Sequence, residues 1–229
     1  MNHIRSMKKS YFNILKGMVV CLPFYLFALL FLSSCSESSD EVEEFANWEN
    51  VNFKRWNSIY AQAKERIAAG DTSWKIIKNW SYEDSVHAEN TSYIVVHVLN
   101  AGTGSGCPLY TDSVRVHYKG RLTESASYPN GYEFDSSMGN ATSYETAVPA
   151  QFLVSNKLAD GFATALQHMH IGDEWEVYIP WTLGYGTVGT PTIPAYSMLV
   201  FTMKLDSYYR AGQSVPDFKA KKNSSWLIE

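Results

Sequence analysis

The stretch "LADGFATALQHMHIGDEWEVYIP", residues 158–180, changes its hydrophobic period halfway along and so joins a short helix to a strand. Phe162, Leu166 and Met169 recur at steps of three and four residues, which is the spacing of one helical face. Gly172-Asp173 then turns the chain. Every second residue of the strand that follows is apolar: Trp175, Val177 and Ile179. The stretch therefore predicts one short helix packed on the face of a sheet.

The same stretch places His168 and His170 close to Asp173 and Glu174, and these four side chains raise the question of a metal site. Residues two apart lie about 200° from each other around a helix, so the two imidazoles do not converge on one ion. A tetrahedral site would also need further ligands. We expect no metal, and we interpret the pair as a solvated helix end, where the dipole suits histidine.

Residues 93–210 otherwise carry the period of strands and are rich in Val, Ile, Tyr and Phe. The segments are "YIVVHVL", "SVRVHYKGRL", "EWEVYI" and "MLVFTMKLDSY". Loops dense in Gly and Pro, such as "NAGTGSGCP" and "LGYGTVGTPTIPAYS", separate them. This pattern predicts an α+β domain in which an antiparallel β-sheet wraps around one short helix, followed by a loose tail over residues 211–229.

Before this domain, residues 47–92 predict a helical N-terminal extension. "AAGD" ends a helical run that begins at Asn47, and Trp74, Ile76, Ile77 and Trp80 add apolar mass beyond it. The expected buried stripe of this helix, at three- and four-residue steps, is Phe53, Trp56, Ile59 or Tyr60, Ala63 and Ile67. We expect the helix to pack on the main domain.

Residues 1–34 have the pattern of an export signal rather than of a folded element. Basic residues precede an apolar run, Met18–Leu32, that is short for a membrane span. The run ends in Leu32-Ser33-Ser34-Cys35, which resembles a bacterial lipobox, in which the Cys becomes the lipidated first residue. We expect Cys35 to be the lipidation site. The alternatives are an ordinary signal with a chance Cys, or an anchor that is retained.

The residues after Cys35 are polar and acidic, and residues 35–46 predict a tether. A surface-export signal is the alternative interpretation of this acidic run. Loss of residues 1–34 would remove four basic residues and no acidic one, which takes the net charge from −4 to −8. This charge argues against nucleic acid as a partner. With Cys35 acylated, Cys107 would remain alone, so no intrachain disulfide is expected.

Five motifs occur in the order and nearly the spacing of one known family, and the chain resembles the FKBP-type peptidyl-prolyl cis/trans isomerases, in a bacterial lipoprotein form. The similarity covers about residues 94–208, and no single motif is specific alone. The motifs are "VRVHYKGRL" (114–122), "FDSS" (134–137), "LADGFATALQHMHIGDEWEVYIP" (158–180), "LGYG" (183–186) and "TIPAYSMLVFTMKL" (192–205).

The resemblance implies an isomerase with no cofactor, acting on proline-containing peptides or unfolded envelope proteins. It places Tyr118, Phe134 and Phe201 around a prolyl ring, and it makes Tyr185 a donor to the substrate carbonyl. Asp135 is expected to pair with Tyr118. The implied catalytic set is Tyr118, Phe134, Asp135, Tyr185 and Phe201, and the implied substrate-binding set is Leu158, Ala159, Phe162 and Ile193. Leu158 and Ile193 would form the rim, and Ile193 would bond the peptide backbone.

Departures from the family pattern weaken the expectation of efficient catalysis. Phe162 stands where the family usually has a Trp floor, and Ala159 stands where it usually has Ile. The loop "TESASYPNGY" is longer than is typical, and Ala150 replaces an aromatic residue. A non-catalytic module that binds peptides or belongs to an envelope assembly is therefore the alternative function.

The leader and the resemblance together predict a protein of the bacterial cell envelope. We expect it to be held to a membrane by lipid, with the outer membrane favoured and exposure at the cell surface left open. The oligomeric state is left open as well.

Overall fold

The computed structural model describes residues 43–83 and 89–218. The apolar leader, Cys35 and the first part of the acidic tether lie outside the described residues, as does the end of the C-terminal tail. Within the described ranges the elements are α1 (Trp48–Ala68), β1 (Trp74–Lys78), β2 (Tyr93–Asn100), β3 (Ser113–Leu122), β4 (Glu133–Ser136), β5 (Ala150–Leu153), α2 (Asp160–Leu166), β6 (Glu174–Ile179) and β7 (Leu199–Tyr209).

Seven strands of these described segments form one antiparallel sheet, in the order β1-β2-β6-β7-β3-β4. The longest pairing joins β3 to β7, from Ser113 opposite Tyr209 to Leu122 opposite Leu199. Both β4 and β5 pair with the other edge of β3, β4 with residues 119–121 and β5 with residues 113–116. The predicted α+β class is confirmed, and β3 and β6 have the predicted bounds.

One face of the sheet, here called the inner face, packs on α2. The buried positions of β6 alternate as expected, since Trp175, Val177 and Ile179 are all fully buried. In α2, Phe162 and Leu166 are buried against this face, and Met169 is buried just beyond the end of the helix. A Cβ on Gly161 would lie 2.4 Å from a methyl carbon of Ile179, so the close approach of α2 to the sheet requires glycine at this position.

The opposite face, here called the outer face, is covered by α1. Trp56, Ile59 and Ala63 of α1 pack with Val95, Met198 and Val200, which point outward from the sheet and the loop before it. The prediction that the extension packs on the domain is confirmed. The expected stripe was wrong at two positions, because Phe53 is 52% exposed and Ile67 is 40% exposed.

The predicted helical extension over residues 47–92 also contains a strand, which the sequence pattern did not predict. Trp74–Lys78 forms β1, which pairs with β2 from Trp74 opposite His97 to Lys78 opposite Tyr93 and widens the sheet by one strand. The described part of the tail, residues 211–218, is not loose either. Arg115 donates a hydrogen bond to the carbonyl of Pro216, and its guanidinium lies 5.6 Å from the centre of the Phe218 ring. Among the described residues, no helix has the length and apolarity that crossing a membrane requires.

Candidate active site

A cavity of about 220 Å³ opens between the inner face of the sheet and the start of α2. Its deepest residues are nearly covered, since Phe201 is 4% exposed, Phe162 5% and Tyr118 8%. Eight of the nine residues implied by the family resemblance line it: Tyr118, Phe134, Asp135, Leu158, Ala159, Phe162, Tyr185 and Phe201. Strands β3, β4 and β7, the start of α2 and the loop after β6 therefore converge on one space.

The floor of the cavity is an aromatic cluster centred on Phe162. Its ring centre lies 5.0 Å from that of Phe201, 5.7 Å from Tyr118 and 6.0 Å from Phe152, and all three pairs meet edge to face. The ring of Phe134 adds a wall, edge to face with Phe201 at 5.6 Å. Such contacts hold each ring in one orientation, so the floor is preformed.

Two hydrogen bonds fix the carboxylate of Asp135 at the mouth of the cavity. The hydroxyl of Tyr118 donates to Oδ2 at 2.7 Å, and the backbone N–H of Ser136 donates to Oδ1 at 2.8 Å. Burial raises the pKa of the Tyr118 phenol far above its ordinary value, and the hydrogen bond to Asp135 raises it further. Tyr118 therefore stays neutral, and its hydroxyl remains the donor of the hydrogen bond to the Asp135 carboxylate.

The Tyr185 side chain reaches the mouth of the cavity from the loop that follows β6, and it is 41% exposed. Burial raises the pKa of its phenol, and the charge of Asp135 acts in the same direction. None of the described residues makes a hydrogen bond with its hydroxyl, so this O–H is available as a donor to a ligand in the cavity.

Among the predicted site residues that the structure describes, Ile193 is the one that lies elsewhere. It does not line the cavity, and its side chain is 3% exposed within the core. Its backbone N–H donates to the Thr190 hydroxyl at 3.1 Å, and its carbonyl accepts from the Thr190 N–H at 2.8 Å. The expected contact of Ile193 with the rim is therefore wrong, because its side chain is in the core, whereas its expected bond to a peptide backbone stays a prediction.

Two lining residues, Phe152 and Lys157, were absent from the predicted set. Phe152 lies on β5, a strand that the sequence pattern did not predict, and its ring centre is 5.7 Å from that of Tyr118. Lys157 comes from the loop before α2 and is exposed. A lone lysine in a polar loop has no pattern that points to a cavity, whereas alternation along "AQFL" was a usable signal for Phe152.

The two histidines do not share a ligand position. His168 is exposed, with Nδ1 2.8 Å from the carbonyl oxygen of Thr164. His170 turns the other way, with Nε2 3.8 Å from the Cys107 sulfur. Within the described ranges, no group of three His, Cys, Asp or Glu side chains is arranged to hold a metal ion.

Comparison with known proteins shows what this domain is similar to. The sequence model of the family "FKBP-type peptidyl-prolyl cis-trans isomerase" matches residues 107–206. The matched part of the chain is similar to that family, and it contains the strands β3 to β6, the helix α2 and most of β7.

Two curated relatives illustrate the similarity. The FKBP-type 22 kDa peptidyl-prolyl cis-trans isomerase of Escherichia coli K12 is 40% identical over 109 residues, which are 47% of this chain and 46% of the relative. The outer membrane protein MIP of Legionella longbeachae is 36% identical over 116 residues, which are 50% of this chain and 43% of the relative. The chain thus spans about half the length of these relatives.

Among solved structures, a peptidyl-prolyl cis-trans isomerase of Pseudomonas syringae pv. tomato DC3000 is 26% identical. The alignment covers 71% of this chain and 96% of that chain, with a TM-score of 0.49.

Proposed function

We propose that the cavity catalyses cis/trans isomerisation of peptide bonds that precede proline. The observation that carries the proposal is the aromatic floor and walls, which form an apolar space of about 220 Å³. At its mouth lies the Tyr185 hydroxyl, which none of the described residues bonds. Such a space accepts a pyrrolidine ring, and the hydroxyl is placed to donate a hydrogen bond to the peptide. The match of residues 107–206 to the family model supports the same reaction.

The physical chemistry of the reaction requires no nucleophile. Rotation about the peptide bond has a barrier of about 18–20 kcal/mol because the twisted amide loses its resonance. The twisted state also loses charge separation, so an apolar and water-poor cavity favours it over the planar state. In this proposal Phe134, Phe162 and Phe201 hold the ring, while Tyr185 binds the carbonyl. Asp135 acts through Tyr118, whose hydroxyl it orients.

A protease-coupled assay on an Ala-Xaa-Pro peptide tests the proposal. We expect turnover by the wild type, and at least a tenfold loss of kcat/KM in Phe134→Ala and Tyr185→Phe. Tyr128→Phe is the matched control, because this tyrosine is 40% exposed and does not line the cavity. A rate equal to the uncatalysed one at micromolar protein would overturn the proposal, as would equal losses in Tyr128→Phe and Tyr185→Phe.

The floor residue favours a second candidate, a module that binds peptides without turning them over. Phe162 has no ring N–H, and Ala159 leaves one wall of the cavity short. Titration of a proline peptide followed by NMR separates the two candidates. Chemical-shift changes at the cavity with no gain in the rate of cis/trans exchange would support the binding module, whereas faster exchange supports the isomerase.

The place of action is part of the proposal: a lipid-anchored protein of the bacterial envelope that assists the folding of exported proteins. The order of basic leader, apolar run and Cys35 supports it, and so does the similarity to a protein named for the outer membrane. Radiolabelled palmitate should label the wild type and not Cys35→Ala. Equal labelling of both would overturn the lipid anchor and leave the isomerase proposal standing.

A further inference from the structure

Cys107, His170 and Asp173 form a cluster, here called the thiol cluster, that has no part in the cavity. The Cys107 sulfur lies 3.8 Å from Nε2 of His170, and Nδ1 of the same ring lies 3.5 Å from Oδ2 of Asp173. The imidazole therefore lies between the thiol and the carboxylate, with one ring nitrogen near each. None of the three residues lines the cavity.

Within the thiol cluster, the carboxylate of Asp173 is fixed in place by burial and by hydrogen bonds to the backbone. Asp173 is 5% exposed, and each of its oxygens accepts a backbone hydrogen bond of 2.7 Å, Oδ1 from Gly102 and Oδ2 from His170. With a carboxylate oxygen facing Nδ1, the proton of a neutral imidazole is favoured on that nitrogen. The lone pair of Nε2 then faces the sulfur.

Two glycines allow the loop of Cys107 to reach this position. A Cβ on Gly102 would lie 2.4 Å from the backbone of Asp173, and a Cβ on Gly104 would lie 2.8 Å from the backbone of Ile171. The N–H of Gly104 also donates to the Ile171 carbonyl at 3.1 Å. The glycine-rich "AGTGSG" segment is thus explained by close contact between two backbones, which brings Cys107 beside His170.

The surroundings of the sulfur favour the protonated thiol, so the thiol needs a base to react. Burial raises the pKa of Cys107, and the charge of Asp173 acts in the same direction, while Lys75 and Arg210 oppose them. The thiol is therefore protonated at neutral pH, and thiolate is the species that attacks disulfides. Cys107 is half-buried and the His170 side chain is 44% exposed, so a small reagent can reach both.

We propose that Cys107 is a covalent modification site at which small disulfides exchange with the thiol, with His170 as general base. His170 Nε2 takes the thiol proton while Sγ attacks one sulfur of the disulfide RSSR. The S–S bond of RSSR breaks, and the leaving thiolate takes the proton from His170. The products are a mixed disulfide on Cys107 and one molecule of RSH, so the oxidising equivalent comes from RSSR. Asp173 positions the imidazole.

The test is the rate of thiolation of Cys107 in the full chain by 2,2′-dithiodipyridine, followed by peptide mass spectrometry, which resolves Cys107 from Cys21 and Cys35. We expect the wild-type pH–rate profile to include a limb that depends on the imidazole of His170 acting as the base. His170→Ala and His170→Gln should lose this limb and react about tenfold more slowly at pH 7. His168→Ala is the matched control, because its ring bonds Thr164 and not Cys107.

Thermal melting of each variant establishes that it is folded, and His170→Gln serves as the second variant if His170→Ala is not. Asp173→Asn is less suitable, since it also disturbs the bonds to Gly102 and His170. Loss of this limb of the pH–rate profile in the His170 variants alone supports the proposal. The same pH profile in wild type and His170→Gln would overturn it, and so would equal rate losses in His168→Ala and His170→Gln.

Discussion

The two faces of the sheet are both covered by a helix, yet they are built for different tasks. On the outer face, α1 closes over Val95 and Val200 with Trp56, which is 2% exposed. On the inner face, α2 is seven residues long and leaves a cavity beside Phe162. Complete packing on the outer face contributes stability. On the inner face the packing is incomplete, so aromatic rings of the cavity can contact a ligand. Substitutions on the outer face should therefore change stability, and those in the cavity should change activity.

The largest expected effect is on the outer face. Trp56→Ala should lower the free energy of unfolding by about 3–5 kcal/mol, because it removes a large buried ring and leaves a void. Denaturant unfolding measures this change. Phe53→Ala on the same helix is the matched control and should stay within about 0.5 kcal/mol, since Phe53 is 52% exposed. Similar losses for both would contradict the assignment of the buried face.

A pH-dependent effect is expected at His117, which adjoins Tyr118 on β3 and is 4% exposed. Burial lowers the pKa of its imidazole; Asp206 opposes this and Lys204 adds to it. The unfolded chain takes up this proton more readily, so the stabilisation is complete above about pH 6.5 and is lost as the pH falls further.

The slope from this one group is at most ~1.4 kcal/mol per pH unit. Unfolding free energies measured between pH 7 and 5 should decline less steeply in His117→Leu than in the wild type. His168→Ala, at an exposed histidine, should keep the wild-type slope. Parallel curves for the wild type and His117→Leu would exclude this role of His117.

A smaller effect on stability is expected in the cavity at Tyr118. Tyr118→Phe removes the hydrogen bond to Asp135 and should cost about 1 kcal/mol of unfolding free energy, while kcat/KM falls at least tenfold. Unfolding and isomerase measurements on the same preparation give both values. An unchanged kcat/KM would remove Tyr118 from the proposed mechanism.

The smallest stability change belongs to the other tyrosine of the cavity. Tyr185→Phe should leave the free energy of unfolding within about 0.5 kcal/mol, because no described residue bonds its hydroxyl. Its kcat/KM should fall as far as that of Tyr118→Phe. Comparing Tyr118→Phe with Tyr185→Phe separates the contribution of a hydroxyl to the fold from its contribution to the reaction. If Tyr185→Phe lost as much stability as Tyr118→Phe, this expectation would be wrong.

The sequence predicted best where one face of an element is buried throughout. "SVRVHYKGRL" and "EWEVYI" alternate cleanly, and both strands have the predicted bounds. The stripe of α1 was harder to predict because one of its buried positions is polar. Asn52 is 1% exposed and bonds Thr123 and Met198, which no hydrophobic pattern registers.

In the cavity, the sequence pattern also failed to predict the positions of Ile193 and Lys157. A motif places a residue in sequence, but which groups of a loop are already bonded to each other is decided by tertiary contacts. Thr190 forms hydrogen bonds with the backbone N–H and carbonyl of Ile193. Lys157 lines the cavity because the loop before α2 runs along the cavity. Strand β1 was not predicted for a related reason. It is held by pairing with β2, whose residues lie further along the chain, and local periodicity carries no information about such a pairing.

Two-dimensional exchange NMR on a proline peptide tests whether the inner-face cavity accelerates prolyl isomerisation. It measures the exchange at equilibrium and needs no coupling protease. With the wild type added in catalytic amounts, the cis/trans exchange rate should rise in proportion to protein concentration. Phe134→Ala should give at least a tenfold smaller slope, and Phe53→Ala should match the wild type. An exchange rate that stays at the uncatalysed value with wild-type protein would contradict the account.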